Sequence, residues 1–311
     1  MRKSNDIIIF QKASLNEALK KLEKTRTKLL ICVDNRKKFV GVVSDGDIRR
    51  KLINKKIDLK TKIGNLVNIN ASTINENSTI SDAQSLLSSR VTILPVLNSY
   101  QQVVGYYALE DLIKNYERKI SIIGLGYVGL TLALCMSKNG FEITGFDTNK
   151  QVIKNLKKGN SHFYEHKLDY LLKNEKKKIN FSHLISQSKS DCYILSVGTP
   201  IKNRKPNLKH ITEAIKQICT ILKEGDLIVL RSTLPIKTTD DVIIPLIYKI
   251  KKFKPGIDYF ISFAPERTVE GNAIYELENN PQIIGANDLV SFEKTSKIFN
   301  KITKSIIKVE D

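Results

Sequence analysis

The chain has 311 residues, of which 41% are hydrophobic and 27% charged, a composition typical of globular proteins and long enough for two domains. No apolar run approaches the roughly 20 residues of a membrane helix, and no signal peptide precedes the first strand, so we expect a cytoplasmic protein without membrane insertion. The net charge of +19 raises the question of nucleic acid, but the lysines are dispersed and the densest run, residues 173–178, contains no aromatic residue, so no nucleic-acid partner is expected.

No metal site is predicted. The four cysteines lie far apart, each within an apolar helix or strand pattern, and we interpret them as reduced core residues: Cys32, Cys135, Cys192 and Cys219. His162 and His166 are four residues apart, but no acidic or thiol partner completes a ligand set.

The first part of the chain contains an internal repeat of about 60 residues. In the first copy Ser14 precedes a helix, strands are predicted at 29–33 and 39–43, and a helix begins near Ile48. The second copy has the same order, with a helix from Ser81 and strands at 91–97 and 103–107. We predict one domain, residues 1–117, whose halves (about 6–60 and 61–117) share a core, because neither half alone buries both faces of its sheet.

Residues 41–50, Gly-Val-Val-Ser-Asp-Gly-Asp-Ile-Arg-Arg, give this repeat its resemblance to a tandem CBS pair, an α+β module. In such pairs a hydroxyl and an aspartate three residues later hold the ribose and phosphate of an adenine nucleotide. The resemblance therefore implies that Ser44 and Asp47 bind a nucleotide. The second copy keeps Asp111 but has Ala108 in place of the hydroxyl. The alternative is that Ser44 only caps the helix that follows.

A glycine-rich turn follows the short apolar strand at 120–123 and precedes a helical pattern. It reads Gly124-Leu125-Gly126-Tyr127-Val128-Gly129. In such a turn the first glycine permits the tight bend, the second lets the backbone approach a pyrophosphate, and the third lets helix and strand pack closely. The helix amino terminus, which includes Tyr127 and Val128, then stabilises the phosphate charge. This order of elements predicts a dinucleotide site.

The next predicted strand, at 141–146, ends on Asp147, about 20 residues beyond the glycines, where a carboxylate accepts both ribose hydroxyls. A carboxylate there repels a 2′-phosphate, so NAD is favoured over NADP, although the nearby Lys150 makes that exclusion incomplete. The alternative is a close-packing turn without a cofactor.

Further strands are predicted at 191–197, 226–231 and 259–263, each preceded by a helical stretch. Residues 118–311 are therefore predicted to form a doubly wound α/β domain with a parallel sheet, in which ligands bind at the carboxyl ends of the strands. Polar, turn-forming residues follow three of these ends: Gly198, Thr199 and Pro200; Ser232, Thr233 and Pro235; and residues 264–271.

Residues 124–130, 197–200, 231–235 and 265–271 match, in order and spacing, the front half of the UDP-sugar dehydrogenase family, which this domain resembles. The resemblance implies that two NAD oxidise the C6 alcohol of a UDP-sugar to a carboxylate through a cysteine thioester that water cleaves. It implies that Thr233 and Glu266 position that water and that Glu270 supports the sugar loop. The alternative for the two glutamates is a solvated loop pair.

Two further residues bear on the substrate. Arg267 resembles the branch of the family that acts on UDP-N-acetylhexosamines, which supply surface polysaccharide precursors, because its guanidinium can reach phosphate or acetamido acceptors. Glu165 falls where the family places a glutamate close to the sugar.

The same resemblance implies a long central helix, then a UDP-binding domain with the nucleophilic cysteine in a glycine-rich loop. Residues 306–311 resemble the strand before that helix, and none of the four cysteines has the glycine-rich setting. We therefore expect the front of a longer enzyme that binds NAD but cannot complete the oxidation by itself. A homodimer is expected, through the CBS pair or through the central helix. The alternative is a catalytically incomplete nucleotide sensor.

Overall fold

The computed structural model describes residues 2, 6–54, 57–79, 82–83, 86–87, 91–114, 119–188, 190–202 and 205–309. The chain divides into two compact units, Met1–Leu112 and Ile113–Asp311. The boundary predicted between residues 117 and 118 lies outside the described residues.

The first unit is built from short strands and helices whose order repeats. Its strands are β1 (Ile8–Phe10), β2 (Leu29–Val33), β3 (Phe39–Ser44), β4 (Ile74–Asn75), β5 (Ile93–Leu97) and β6 (Val103–Ala108). Its helices include α1 (Leu15–Thr25) and α2 (Asp45–Ile53), and α3 (Leu109–Lys114) begins at its end.

Two three-stranded sheets, β1-β2-β3 and β4-β5-β6, have the same design. In each, the first pair is parallel and the second antiparallel, and the register shifts at the equivalent place, between Cys32 and Val33 and between Val96 and Leu97. One core cluster contains side chains from both copies, among them Leu30 from the first and Tyr106 from the second. The predicted repeat with a shared core is confirmed.

Hydroxyl caps set where the helices of this unit begin. Ser14 starts α1 with a reciprocal capping box, in which it pairs with Glu17. Helix α2 begins at Asp45 rather than near Ile48, because the Ser44 side chain accepts a hydrogen bond from the Asp47 N–H and so opens the helix three residues earlier. Ser81 lies outside the described residues, while Ala83, predicted in the same helix, is buried.

The second unit alternates strands with helices. Its strands are β7 (Lys119–Ile123), β8 (Glu142–Phe146), β9 (Ile179–Ser182), β10 (Cys192–Leu195), β11 (Ile201–Lys202), β12 (Lys205–Pro206), β13 (Leu227–Leu230), β14 (Phe260–Phe263), β15 (Gln282–Gly285) and β16 (Ile306–Val309). Its helices are α4 (Tyr127–Lys138), α5 (Lys150–Lys158), α6 (Leu168–Glu175), α7 (Lys209–Cys219), α8 (Ile244–Lys251), α9 (Ala273–Asn279) and α10 (Leu289–Phe299).

An eight-stranded sheet, in the order β16-β15-β14-β13-β10-β7-β8-β9, forms the centre of this unit. Six neighbouring strands of this sheet are parallel, in the order β14-β13-β10-β7-β8-β9. The strand order reverses between β7 and β10. In such sheets a crevice opens beyond the carboxyl ends of the strands at this switch point. The predicted doubly wound parallel sheet is confirmed.

Helix α4 lies against this switch point and is buried on nearly all sides, since it contacts the sheet, α6 and α9. This is why its sequence is apolar around the whole circumference instead of along one stripe. The glycine turn at its start is therefore attached to the most enclosed helix of the unit.

Three features of the strands in this unit differ from the predicted arrangement. Strand β9 was not predicted, β11 and β12 form a small antiparallel hairpin, and β15 runs antiparallel to β14. An apolar run such as Gln282–Gly285 indicates a buried strand, but its alternation is the same in either direction, so sequence alone does not orient it.

Candidate functional site

The glycine turn between β7 and α4 shows a separate backbone requirement at each glycine. Gly124 has φ of +92°, a left-handed conformation that side chains rarely adopt, and its N–H donates to the Phe146 carbonyl at 2.8 Å. Gly126 is the N-cap of α4, and a Cβ there would meet nothing within 4 Å. A Cβ on Gly129 would lie 1.8 Å from the Gly124 carbonyl oxygen. The turn thus leaves open space at the helix amino terminus, beside the first helical residues Tyr127 and Val128.

Asp147 lies just past β8 and connects two backbone segments. Its carboxylate accepts hydrogen bonds from the N–H of Leu125 at 2.9 Å and of Asn149 at 2.8 Å. The first bond fixes the carboxylate against the glycine turn, and the second fixes it at the start of α5. Lys150, the first residue of α5, is exposed.

A cleft of about 340 Å³ opens at the switch point beside these residues. Of the predicted cofactor residues, the structure places Gly124, Gly126, Asp147 and Gly198 in its lining. The sequence did not single out the polar residues that complete the lining: Thr148, His183, Ser196, His210, Glu213 and Gln217.

Three of these unpredicted residues share one face of α7. His210, Glu213 and Gln217 recur with helical spacing, and the His210 ring Nδ1 lies 3.0 Å from the Gly198 carbonyl oxygen. The sequence does indicate these residues as candidates for the cleft lining, because they form a polar stripe on the first helix after a predicted ligand-binding loop.

The loops after β10 and β13 meet at the carboxyl ends of these two strands. The Thr199 hydroxyl donates to the Thr233 carbonyl at 2.7 Å, and the Ser232 hydroxyl donates to the Val197 carbonyl at 2.7 Å. Thr233 and Pro200 are exposed. The structure therefore brings two of the predicted strand-end clusters into direct contact.

The loop after β14 is tied down through a buried ion pair. Arg231 is 1% exposed, and its guanidinium pairs with the Glu266 carboxylate and donates to the Ala264 carbonyl at 3.1 Å and to Gln282 at 3.0 Å. Burial lowers the pKa of Arg231, and Glu266 opposes that shift. Glu266 also accepts from the N–H of Arg267 at 2.7 Å and so fixes the start of its own loop.

The other predicted loop residues have different surroundings. The exposed Arg267 side chain donates to the Pro281 carbonyl at 2.5 Å, and Glu270 is exposed. Glu165 is 3% exposed and is hydrogen-bonded to the Tyr127 hydroxyl and to the N–H groups of Gly271 and Ala273. The roles given to these side chains by resemblance stay predictions.

In the first unit the predicted nucleotide residues contact other side chains of the same unit. The Ser44 hydroxyl donates to Asp47 at 2.6 Å, and Arg50 pairs with the same carboxylate at 2.5 Å. The pKa of Asp47 is lowered, chiefly by the Ser44 hydroxyl. Asp111 pairs with Arg2 at 2.5 Å. Ser44 therefore caps α2 as the alternative interpretation predicts, and nucleotide contact stays a prediction.

All four cysteines are unpaired thiols and buried, which confirms their interpretation as reduced core residues. Burial raises the pKa of Cys32 and Cys135 to about 12 and of Cys219 to about 11, and it raises that of Cys192 as well. These thiols are protonated at neutral pH, whereas the thiolate is the nucleophilic form.

Within the described ranges, no three His, Cys, Asp or Glu side chains converge in a way that could hold a metal ion. No helix in the same ranges combines the length and apolar character needed to cross a membrane.

Comparison with known protein families assigns both units. Residues 118–303 match the NAD binding domain of the UDP-glucose/GDP-mannose dehydrogenase family, and residues 1–54 and 63–118 each match the CBS domain.

Among curated proteins, the chain is similar to the UDP-N-acetyl-D-mannosamine dehydrogenases of Pyrococcus horikoshii and Campylobacter jejuni. The first is 31% identical over 193 residues, covering 61% of this chain and 45% of that protein. The second is 33% identical over 182 residues, covering 55% and 44%. The chain thus spans less than half the length of these relatives.

Solved structures give the same picture. A UDP-N-acetyl-mannosamine dehydrogenase from Staphylococcus aureus has a TM-score of 0.59 at 28% identity and covers 62% of this chain and 47% of its own. A GDP-mannose dehydrogenase from Pseudomonas aeruginosa has a TM-score of 0.59 at 29% identity and covers 61% and 46%.

Proposed function

Because the chain belongs to the UDP-glucose/GDP-mannose dehydrogenase family, we propose that its second unit binds NAD as the cofactor-binding part of a UDP-sugar 6-dehydrogenase. The observation that carries this proposal is the joint placement of the glycine turn and Asp147 on one 340 Å³ cleft. Bound there, NAD supplies the hydride acceptor.

The open space at Gly126 fits the pyrophosphate, because a side chain at this N-cap would occupy the place where phosphate oxygens meet the α4 N–H groups. The Asp147 carboxylate, oriented by two backbone N–H groups, accepts the hydroxyls of the adenosine ribose and disfavours the extra phosphate of NADP. Gly198, Thr199 and Pro200 border the cofactor on the β10 side, and Lys150 lies beyond Asp147.

For the substrate we propose a UDP-N-acetylhexosamine, oxidised from the C6 alcohol to the carboxylate for polysaccharide precursor synthesis. The similar UDP-N-acetyl-D-mannosamine dehydrogenases support this class, as does Arg267. Glu266 is held in place by its ion pair with Arg231, which suits a group that orients water together with Thr233. Glu270 supports the sugar loop. The thioester step needs a reactive thiol, and the four thiols of residues 1–311 are buried and protonated.

For the first unit we propose an adenine nucleotide at the site of Ser44 and Asp47, with a weaker half-site at Asp111 that Arg2 already neutralises. The unit would report nucleotide levels to a cytoplasmic, homodimeric enzyme.

A second candidate function, nucleotide sensing without catalysis, is favoured by the burial of all four thiols. Formation of NADH from NAD and UDP-N-acetylmannosamine by the chain would exclude it.

Calorimetric titration of the intact chain with NAD tests the proposal. We expect binding to the wild type, and a loss of affinity of about 10- to 100-fold in Asp147→Ala, the range for hydrogen bonds to a charged group. Asp191→Ala is the matched control, because Asp191 is an exposed carboxylate just before β10. It therefore lies at the amino ends of the strands, away from the predicted cofactor site at their carboxyl ends. Absence of NAD binding by the wild type would remove the proposal.

A further inference from the structure

A buried carboxylate joins three segments that are distant in sequence. Glu165 lies in the loop between α5 and α6 and is 3% exposed. Its Oε2 accepts hydrogen bonds from the Tyr127 hydroxyl and, at 2.7 Å, from the Gly271 N–H, while its Oε1 accepts from the Ala273 N–H at 3.2 Å. A buried carboxylate is costly unless it is hydrogen-bonded, so these three donors fix its position.

Tyr127 belongs to the glycine turn and is the first residue of α4. Its hydroxyl donates to Glu165 and accepts from the Gly271 N–H at 3.1 Å. Burial, followed by the contact with Glu165, raises the pKa of Tyr127, so the hydroxyl stays protonated and keeps donating. The Tyr127 ring packs on Phe163 with 5.2 Å between ring centres, which holds it in the direction of Glu165.

The third segment is the loop after β14, which Arg231 holds at its start through Glu266. At its end Gly271 has φ of +89°, and a Cβ there would meet nothing within 4 Å, so the glycine is required by its backbone conformation. That conformation directs the N–H toward both Glu165 and Tyr127. Residues 266–271 are thus fixed at both ends, and the second attachment leads to the cofactor turn.

We propose that Glu165 is a positioning residue that latches the loop at residues 266–271 to the cofactor turn through Tyr127, acting on the loop backbone instead of on the sugar. The inference rests on the proposed function in that NAD is the ligand of this turn. Pyrophosphate bound at the start of α4 restricts the motion of Tyr127. Through the hydrogen bond from Tyr127 to Glu165, it also stabilises the hydrogen bonds that Glu165 accepts from the N–H groups of Gly271 and Ala273. Coupling of this kind is reciprocal, so an ordered loop also favours cofactor binding.

Amide hydrogen exchange of the full chain, measured by NMR with and without saturating NAD, tests the latch. In the wild type we expect NAD to stabilise these hydrogen bonds to Glu165 and to slow exchange at Gly271 and Ala273 by about tenfold, the upper range for the contribution of one hydrogen bond. In Tyr127→Phe the helix N–H groups that meet the phosphate are unchanged, so saturating NAD still occupies the site, but its affinity falls by up to about the same tenfold factor because the coupling is reciprocal. The NAD-dependent slowing at the two amides is lost.

Tyr164→Phe is the matched control, because this neighbouring tyrosine is 83% exposed and loses the same hydroxyl. It should keep the NAD effect. Glu165→Gln preserves shape but not charge, so the amide proton of Gly271 should move upfield while the fold is retained.

The outcomes separate the two proposals. NAD binding that leaves both amides unaffected in the wild type, or slowing that survives in Tyr127→Phe, overturns the latch alone. Absence of NAD binding by the wild type overturns the proposed function instead.

Discussion

In the second unit, backbone N–H groups anchor Asp147, which lines the open cleft, and backbone N–H groups together with a buried guanidinium anchor Glu266. In the first unit, the carboxylate of the predicted residue Asp47 is anchored by the Ser44 hydroxyl and by an exposed arginine. Backbone anchors come with the fold, whereas side-chain anchors at the surface exchange readily with water or a ligand. The two units should therefore respond very differently to the same substitution.

The two ion pairs make this difference measurable. The Arg231 and Glu266 side chains are 1% and 10% exposed, whereas those of Arg50 and Asp47 are 72% and 40% exposed. Water screens the second pair and leaves the first in a low dielectric.

The largest effect is expected for Arg231→Met. It leaves the Glu266 carboxylate and the Ala264 carbonyl without their guanidinium, so the second unit should lose about 3–5 kcal/mol of unfolding free energy. Arg50→Met in the first unit should cost below about 0.5 kcal/mol. Urea unfolding followed by methyl NMR signals from each core gives both values separately.

A double variant, Arg231→Met with Glu266→Leu, sharpens the same comparison. Since it removes both charges, we expect it to recover a large part of the loss. Equal losses for Arg231→Met and Arg50→Met would contradict the contrast between the units.

Much of this contrast depends on features that sequence reveals only in part. The glycine turn, Asp147 and the doubly wound parallel sheet were predictable, because a strand, a glycine pattern and a helix allow few local conformations. The anchors were not. Arg231 follows an apolar strand, and nothing in its neighbourhood indicates that it pairs with Glu266, because that pairing depends on the sheet bringing two strand ends together.

The hydrogen-bond partners of Glu165 also could not be predicted from the sequence. Its place in the loop indicated a residue near the sugar, but its hydrogen bonds join segments more than 100 residues apart, as the Gly271 contact shows at a separation of 106. The polar stripe of α7 was visible as a helical pattern and became meaningful only with the cleft beside it.

The next largest effect on stability is expected at the glycine turn, where two glycines of the same motif can be compared. Gly129→Ala places a Cβ 1.8 Å from the Gly124 carbonyl oxygen, so helix and strand must move apart. We expect a loss of about 3 kcal/mol in unfolding free energy and no NAD binding. Gly126→Ala meets nothing within 4 Å, so the fold should keep its stability while NAD affinity falls. Similar stability for the two variants would show that the turn adapts freely.

The smallest effect is expected for Ser44→Ala, which tests whether the polar residues of the first unit form a self-contained set. Losing the N-cap of α2 should cost about 1 kcal/mol. Ser14→Ala, the N-cap of α1, is the matched control and should cost a similar amount.

Only Ser44→Ala should also raise the pKa of Asp47, because the Ser44 hydroxyl is the main cause of its lowering. A carboxylate whose folded pKa is lowered stabilises the fold above its unfolded pKa, and this stabilisation is lost as the pH falls through the folded value. The stability difference between wild type and Ser44→Ala should therefore shrink on acidification. Carboxyl NMR titration of Asp47 measures the shift directly. An unchanged titration would mean that Arg50 or the backbone, not Ser44, holds the carboxylate, and the first unit would then resemble the second in how it anchors its site.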